Sequence, residues 1–141
     1  MKWIHMTTLR ILKKLAQSSE FQLLHASPFV HKYSANAQAR LRKIYGYIDE
    51  HYQHKIALEQ VAALCNHTKP AFCRYFKKAT GSTFVEFLNQ YRISQAKRLL
   101  LIGMNVSEAC YECGFESLSY FNRSFKKITG QNPSDFKVRV V

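Results

Sequence analysis

Hydrophobic residues recur at helical spacing along most of the chain. Between Ala37 and Tyr52 they fall at i, i+3, i+4 and i+7, which predicts an amphipathic helix. A second run of apolar positions predicts a long helix from about residue 83 to residue 101. Only five glycines and three prolines are present, which leaves little for a fold rich in β-turns. The pattern predicts an all-α protein.

Two shorter stretches carry the same apolar pattern 48 residues apart. Each leads through a short turn to a hydroxyl residue, Thr68 or Ser117, whose oxygen is suited to cap the next helix. The sequence therefore contains an internal duplication of helix, tight turn and helix. The matching apolar positions are Leu58, Val61, Ala62 and Cys65 in the first copy and Val106, Ala109, Cys110 and Cys113 in the second.

The duplication continues at an offset of 49, so the second turn holds one extra residue, around Gly114 and Phe115. Glycine ends the second helix of each copy, as a left-handed C-terminal residue would. We predict one helix-turn-helix at about 57–81, a linker helix at about 83–101 and another helix-turn-helix at about 106–130. Matching positions are Thr68, Phe72, Arg74, Phe76, Lys77, Lys78, Thr80, Gly81 and Phe87 with Ser117, Phe121, Arg123, Phe125, Lys126, Lys127, Thr129, Gly130 and Phe136.

Charge gives this repeat a chemistry. Lys and Arg total 21 against nine Asp and Glu, and a formal net charge of +12 indicates a polyanionic partner. Neither second helix contains an acid that would repel phosphate, and both are basic at the same positions. We interpret them as DNA-reading helices. With the phenylalanines facing the core, the outward positions are Pro70, Arg74, Lys77 and Lys78, and Ser119, Arg123, Lys126 and Lys127.

The stretch from Ile56 to Phe136 resembles the DNA-binding domain of the AraC/XylS family of bacterial transcription regulators, and the resemblance extends over about 41–137. Its most specific part is one register near the C-terminus: Gly114-Phe115, Tyr120-Phe121, Phe125-Lys126-Lys127, Gly130, Pro133 and Phe136. The first copy adds Leu58-Glu59-Gln60-Val61-Ala62 and the run from Phe72 to Gly81, and the linker adds Tyr91-Arg92-Ile93 and Ala96-Lys97-Arg98-Leu99-Leu100.

The resemblance implies that 37–141 forms two homeodomain-like units that enter successive major grooves of double-stranded DNA. Carried over by position, it implies base reading by Lys69, Pro70, Cys73, Arg74, Leu118, Ser119, Asn122 and Arg123. The helical wheel independently favours Arg74, Ser119 and Arg123, and places Asn122 on the flank. Phosphate contacts fit Thr68, Lys77, Lys78, Ser117, Lys126 and Lys127.

The first reading helix departs from this picture. Pro70 offers no hydrogen bond and Cys73 is a poor base reader, so sequence preference should depend on Arg74 and the second helix. The same departures support an alternative function, a degenerate basic module that binds DNA nonspecifically or binds a protein partner. The family habit favours an activator.

Other chemistry is weakly represented. Cys110 and Cys113 form a CxxC, but their place on the core stripe predicts buried thiols, so no metal is expected. We expect no cofactor, no catalytic activity and no membrane contact. We expect a cytoplasmic location. Glu108, Glu112 and Glu116 follow i, i+4, i+8, an acidic stripe that suits a partner such as RNA polymerase.

The N-terminal extension, residues 1–36, leaves two interpretations open. It belongs either to a short stand-alone regulator or to the remnant of a sensor domain. A basic amphipathic helix is predicted from Thr8 to Ala16, a second short helix near Ser19 and a linker from His25 to Asn36. The apolar stripe of the first helix suits docking or pairing with a second copy, so dimerisation stays open.

Overall fold

The computed structural model describes residues 35–138, and all of their regular structure is helical. The fold is all-α, as predicted. The two short helices predicted near the N-terminus, and all but the last two residues of the predicted linker, lie outside the described residues. The helices are α1 (Ala35–His51), α2 (Leu58–Leu64), α3 (Lys69–Thr80), α4 (Phe84–Leu101), α5 (Val106–Glu112), α6 (Leu118–Thr129) and α7 (Pro133–Val138).

The first helix begins two residues earlier than the apolar pattern predicted. Ala35 and Asn36, assigned to the linker, are the first residues of α1. The linker helix α4 agrees closely with its predicted range because a capping box defines its start. The Thr83 hydroxyl accepts from the Glu86 N–H at 3.2 Å, and the Glu86 carboxylate accepts from the Thr83 N–H at 2.9 Å.

A first hydrophobic core joins α1, α2, α3 and the start of α4; we call these elements the first subdomain. Phe72 and Phe76 of α3 are fully buried, and each has its ring edge-on to Phe84 at centroid distances of 5.6 and 5.5 Å. Full burial of such a side chain contributes about 1.5–3 kcal/mol. The other buried residues of this core are Ile44, Ile48, Val61, Ala62, Cys65 and Leu88.

A second core joins the end of α4 with α5, α6 and α7, which together form the second subdomain. Phe121 and Phe125 of α6 are fully buried and repeat the positions of the α3 phenylalanines. Their partners are Ile93, Ala96, Leu100, Ala109, Cys110, Cys113 and Phe115. The linker helix thus belongs to both cores and joins the subdomains that contain α3 and α6, the two helices predicted to read DNA.

The repeat extends into fine detail and beyond α6. The Phe76 and Phe87 rings lie 5.6 Å apart, and the equivalent Phe125 and Phe136 rings lie at the same distance. Since Phe87 lies on α4 and Phe136 on α7, α7 occupies the place in the second subdomain that the start of α4 has in the first. Helix α7 therefore repeats the position of the start of the linker helix.

The two tight turns locate the extra residue. Asn66 and Gly114 each have positive φ, and the next N–H donates back to the equivalent carbonyl: His67 to Ala62 at 3.0 Å, Phe115 to Cys110 at 3.1 Å. The offset of 48 therefore holds through Phe115. The inserted residue is Glu116, one position after the Gly114–Phe115 pair to which the sequence analysis assigned it.

Candidate DNA-binding interface

The reading helices α3 and α6 begin with the same cap. The Thr68 hydroxyl accepts from the Ala71 N–H at 3.4 Å, and the Ser117 hydroxyl accepts from the Tyr120 N–H at 3.4 Å. Pro70 fits in the first turn of α3, where a backbone N–H has no partner inside the helix. A hydroxyl that accepts in this way still has its own proton to donate.

The two helices also end alike. Gly81 and Gly130 have φ of +80° and +79°, and their N–H groups donate to the Lys77 and Lys126 carbonyls at 2.9 and 2.8 Å. Only glycine adopts this left-handed conformation without strain. Both helices are 12 residues long and contain no acidic residue. The duplication seen in the sequence is therefore a duplication of geometry.

The predicted base-reading residues divide into an exposed group and one half-buried residue. Leu118 is half-buried and packs against the second core, so only part of its side chain is available to a ligand. Asn122, which the helical wheel placed on the flank, is exposed. The exposed residues are Lys69, Pro70, Cys73 and Arg74 on α3 and Ser119, Asn122 and Arg123 on α6.

The predicted phosphate contacts are all exposed and lie at both ends of the reading helices. The hydroxyls are at the N-terminal caps and the lysines are in the last turns. These residues are Thr68, Lys77, Lys78, Ser117, Lys126 and Lys127.

An ion pair between α2 and α3 was not visible in the sequence. The Lys69 ammonium donates to the Glu59 carboxylate at 2.8 Å. The hydrogen bond from Lys69 lowers the pKa of Glu59, and the same bond raises the pKa of Lys69. Both side chains are exposed, so the pair contributes little to stability. Its consequence is local, because the first cation of α3 already has an acidic partner.

The start of α4 lies within electrostatic reach of both reading helices. The pKa of Glu86 is lowered chiefly by the backbone and hydroxyl of Thr83, and further by the positive charges of Lys127 and Lys77. Asn89, one turn later, donates to the Tyr120 hydroxyl of α6 at 2.6 Å. The linker helix therefore contacts the reading helix of the second subdomain directly.

The cysteines are placed as the core stripe predicted. Cys65, Cys110 and Cys113 are buried, whereas Cys73 is exposed. Burial raises the pKa of all three buried thiols, that of Cys113 to about 12, so they are protonated at neutral pH. Within residues 35–138, no group of three or more His, Cys, Asp or Glu side chains could hold a metal ion. No helix in this range is long and apolar enough to span a membrane.

The predicted acidic stripe is wrong. Helix α5 ends at Glu112, and Gly114 then turns the backbone at φ +78°. Glu116 therefore lies in the turn, not on the same helix face as Glu108 and Glu112. The i, i+8 spacing indicates a shared face only within one continuous helix, and α5 ends before Glu116.

The all-helical fold agrees with the comparisons to known proteins. A family described as a helix-turn-helix domain matches residues 61–139. A structure of a probable AraC family transcriptional regulator from Rhodopseudomonas palustris superposes with a TM-score of 0.67 at 25% identity, covering 72% of this chain and 97% of that one. The chain belongs to the AraC/XylS family. Its second helix-turn-helix ends with α6, inside the matched range.

Two further similarities bear on function. The DNA-binding domain of AdpA, a global transcriptional factor whose structure contains a target DNA, has a TM-score of 0.66 at 28% identity, covering 71% of this chain and 91% of that one. The bifunctional transcriptional activator and DNA repair enzyme AdaA of Bacillus subtilis is 35% identical over 92 residues, 64% of this chain and 44% of AdaA. The chain spans about a third to a half of the length of the curated relatives it matches. It carries the DNA-binding domain of a transcriptional regulator.

Proposed function

We propose that this chain regulates transcription by sequence-specific DNA binding, with α3 and α6 entering successive major grooves of one duplex. The observation that carries the proposal is the pair of equivalent, basic helices, which contain no acidic residue and whose capping residues are exposed. Major grooves distinguish all four base pairs, and one chain with two such helices reads an asymmetric site of about two helical turns.

Base reading falls unequally on the two helices in this proposal. Arg74 and Arg123 recognise guanine, and Ser119 and Asn122 add hydrogen bonds on α6. Pro70 and Cys73 contribute shape and apolar contact on α3, and Leu118 contributes through the part of its side chain that the core leaves exposed. Glu59 already accepts from one of the three N–H donors of Lys69, so Lys69 reads a base only with the donors that remain.

Phosphate contacts hold the helices in place without reading sequence. The lysines at the ends of α3 and α6 supply the charge, and the two capping hydroxyls donate their protons to phosphate oxygens. These residues are Thr68, Lys77, Lys78, Ser117, Lys126 and Lys127.

Activation is the proposed direction of regulation, since AdaA is described as a transcriptional activator and aligns over this domain. The chain acts by binding, not by catalysis, in this proposal. RNA polymerase is the proposed protein partner of an activator, although the acidic stripe first considered for it does not exist as a single face.

Selection of random-sequence duplexes by the purified chain, at about 0.15 M salt, tests the proposal. We expect enrichment of an asymmetric motif with two blocks about one helical turn apart. Enrichment of one block would restrict reading to one helix. Binding that fades with salt and enriches no sequence would establish the nonspecific basic module instead.

A further inference from the structure

The turn of the second helix-turn-helix packs directly against the backbone of the first subdomain. Gly114 has φ +78°, and a Cβ placed on it would meet the carbonyl of Gln53 at 2.8 Å and the Tyr52 carbonyl oxygen still more closely. Those carbonyls belong to the segment that joins α1 to α2. The close approach therefore needs glycine for space as well as for its backbone conformation.

The same segment is held by Arg92 of the linker helix. Its Nε donates to the Tyr52 carbonyl and its Nη2 to the His54 carbonyl, both at 2.8 Å. The planar guanidinium presents both donors in a fixed geometry that lysine lacks. It also lies over the Phe115 ring of the second turn, 5.8 Å from the centroid. One side chain thus touches the first subdomain, the linker and the second subdomain.

Gly114, Arg92 and the Tyr52–His54 segment form the junction between the two subdomains. Tyr52 completes this junction because it packs against both hydrophobic cores. Its ring lies edge-on to Tyr91 at 5.4 Å, and the Tyr91 hydroxyl donates to the Asp49 carboxylate of α1. The junction is therefore anchored on α1 as well as on α4. At the equivalent turn position of the first helix-turn-helix, Asn66 stands in place of Gly114.

We propose that Gly114, Arg92 and the Tyr52–His54 segment form an inter-subdomain clamp that fixes the relative orientation of the two reading helices and so sets the spacing between the DNA blocks that the chain accepts. The inference rests on the proposed bipartite reading. A rigid pair gains from both contacts only when both sites fall at the right distance and angle, whereas a looser pair accepts several spacings. Gly114, Arg92 and Tyr52 are positioning residues, because they act through α3 and α6.

The test measures binding to duplexes in which the two selected blocks are moved apart or together by one or two base pairs. For the wild-type chain we expect a single preferred spacing and on the order of a tenfold loss at a change of one base pair. Gly114→Ala should flatten this profile to about a threefold variation and weaken binding at the best spacing.

Gly130→Ala is the matched control. Gly130 has nearly the same φ, +79°, but a Cβ there meets nothing within 4 Å. The control carries the cost of a left-handed alanine without the clash, so it should keep the sharp wild-type profile. Equal profiles for the two variants would overturn the clamp. Arg92→Lys, which keeps the charge but not the two-donor geometry, should also broaden the profile and decides the matter if Gly114→Ala does not fold.

A measurement without DNA separates failure of the clamp from failure of the proposed function. Residual dipolar couplings report the orientation of each subdomain in solution. One alignment tensor should fit both subdomains of the wild-type and Gly130→Ala chains, while Gly114→Ala should need two. A single tensor for Gly114→Ala would overturn the clamp even if DNA reading is confirmed. If Gly114→Ala needs two tensors but the wild-type chain selects no bipartite site, the clamp is supported and only the proposed DNA reading is rejected.

Discussion

The two helix-turn-helix units share one frame, by which we mean their buried phenylalanines, hydroxyl caps and terminal glycines. They present different side chains to a ligand. Where α3 has Pro70 and Cys73, α6 has Ser119 and Asn122 at the equivalent exposed positions. Buried phenylalanines, hydroxyl caps and terminal glycines are the same in both. The comparison teaches that core and caps specify how a reading helix is held, while the exposed positions decide what it can read.

The supporting helices differ as well. Helix α5 begins with a capping box in which the Asn105 side chain accepts from the Glu108 N–H at 2.8 Å, whereas Ala57 provides no side-chain cap for α2. In the part of the chain that the structure describes, the first unit alone has an ion pair between its two helices, Lys69 with Glu59. The second unit therefore has the better-capped support, and α6 exposes more hydrogen-bonding side chains at the positions predicted to read bases.

The largest effect is expected from removing a buried phenylalanine ring that the two units share. Phe76→Ala and Phe125→Ala each delete a fully buried ring and should each lower the free energy of unfolding by about 3–5 kcal/mol. Chemical denaturation measures both. Phe87 and Phe136 lie against the two rings at the same centroid distance, so costs that differ by more than about 2 kcal/mol would show that the frames are not equivalent.

The next effect concerns reading. Arg123→Ala should cost about 1–3 kcal/mol on the selected site and relax preference at one base pair. Lys126→Ala, the control on the same helix, should weaken all sequences alike and reduce the salt dependence of binding. Titration of the selected site and of random DNA measures both variants. Unchanged sequence preference in Arg123→Ala would show that α6 is not the reading helix we assign.

A smaller effect tests the unequal caps. Asn105→Ala should destabilise the chain by about 0.5–2 kcal/mol because the Glu108 N–H loses its acceptor. Ala57→Asn should have the opposite sign, since Ala57 already has the extended backbone of an N-cap, φ −82° and ψ 133°. Thermal unfolding measures both changes. Destabilisation by Ala57→Asn would contradict the comparison of the caps.

The smallest effect concerns the ion pair. The folded-state pKa of Glu59 lies below its ordinary 4.5, so its contribution to stability is present above that pH and is lost as pH falls through the lowered value. The small difference in stability between wild type and Glu59→Gln should therefore disappear in acid.

Glu112→Gln is the control, since it removes an exposed carboxylate and leaves Lys69 bonded to Glu59. Denaturation across a pH series, and DNA titration at neutral pH, compare the two variants. Glu59→Gln should also bind DNA more tightly than the control because Lys69 is released. Equal affinities would show that the ion pair does not limit the first reading helix.

Periodicity and repetition were enough to predict the frame. The range of α4, the caps Thr68 and Ser117 and the buried cysteines all follow from local pattern, and the structure confirms them. Leu118 was assigned to reading by position alone, and the structure adds that the second core covers part of it. The assigned reading and phosphate residues remain predictions.

The junction could not be predicted, because it joins parts of the chain that only the folded structure brings together. Arg92 reaches carbonyls 38 and 40 residues away, and no periodic signal records such a contact. The acidic stripe failed for a related reason, since a helical spacing was extended past Glu112, where α5 ends. Sequence pattern describes elements well and their junctions poorly.

The most direct test of unequal reading by one frame is the affinity of the wild-type chain for four duplexes: the selected site, each block scrambled in turn, and both scrambled. The same titrations with Arg123→Ala identify the block that α6 binds. It is the block whose scrambling lowers the affinity of that variant least. We predict that scrambling this block costs more affinity than scrambling the other, and that either single loss is smaller than the double loss. Equal losses, or a larger loss at the α3 block, would contradict the account.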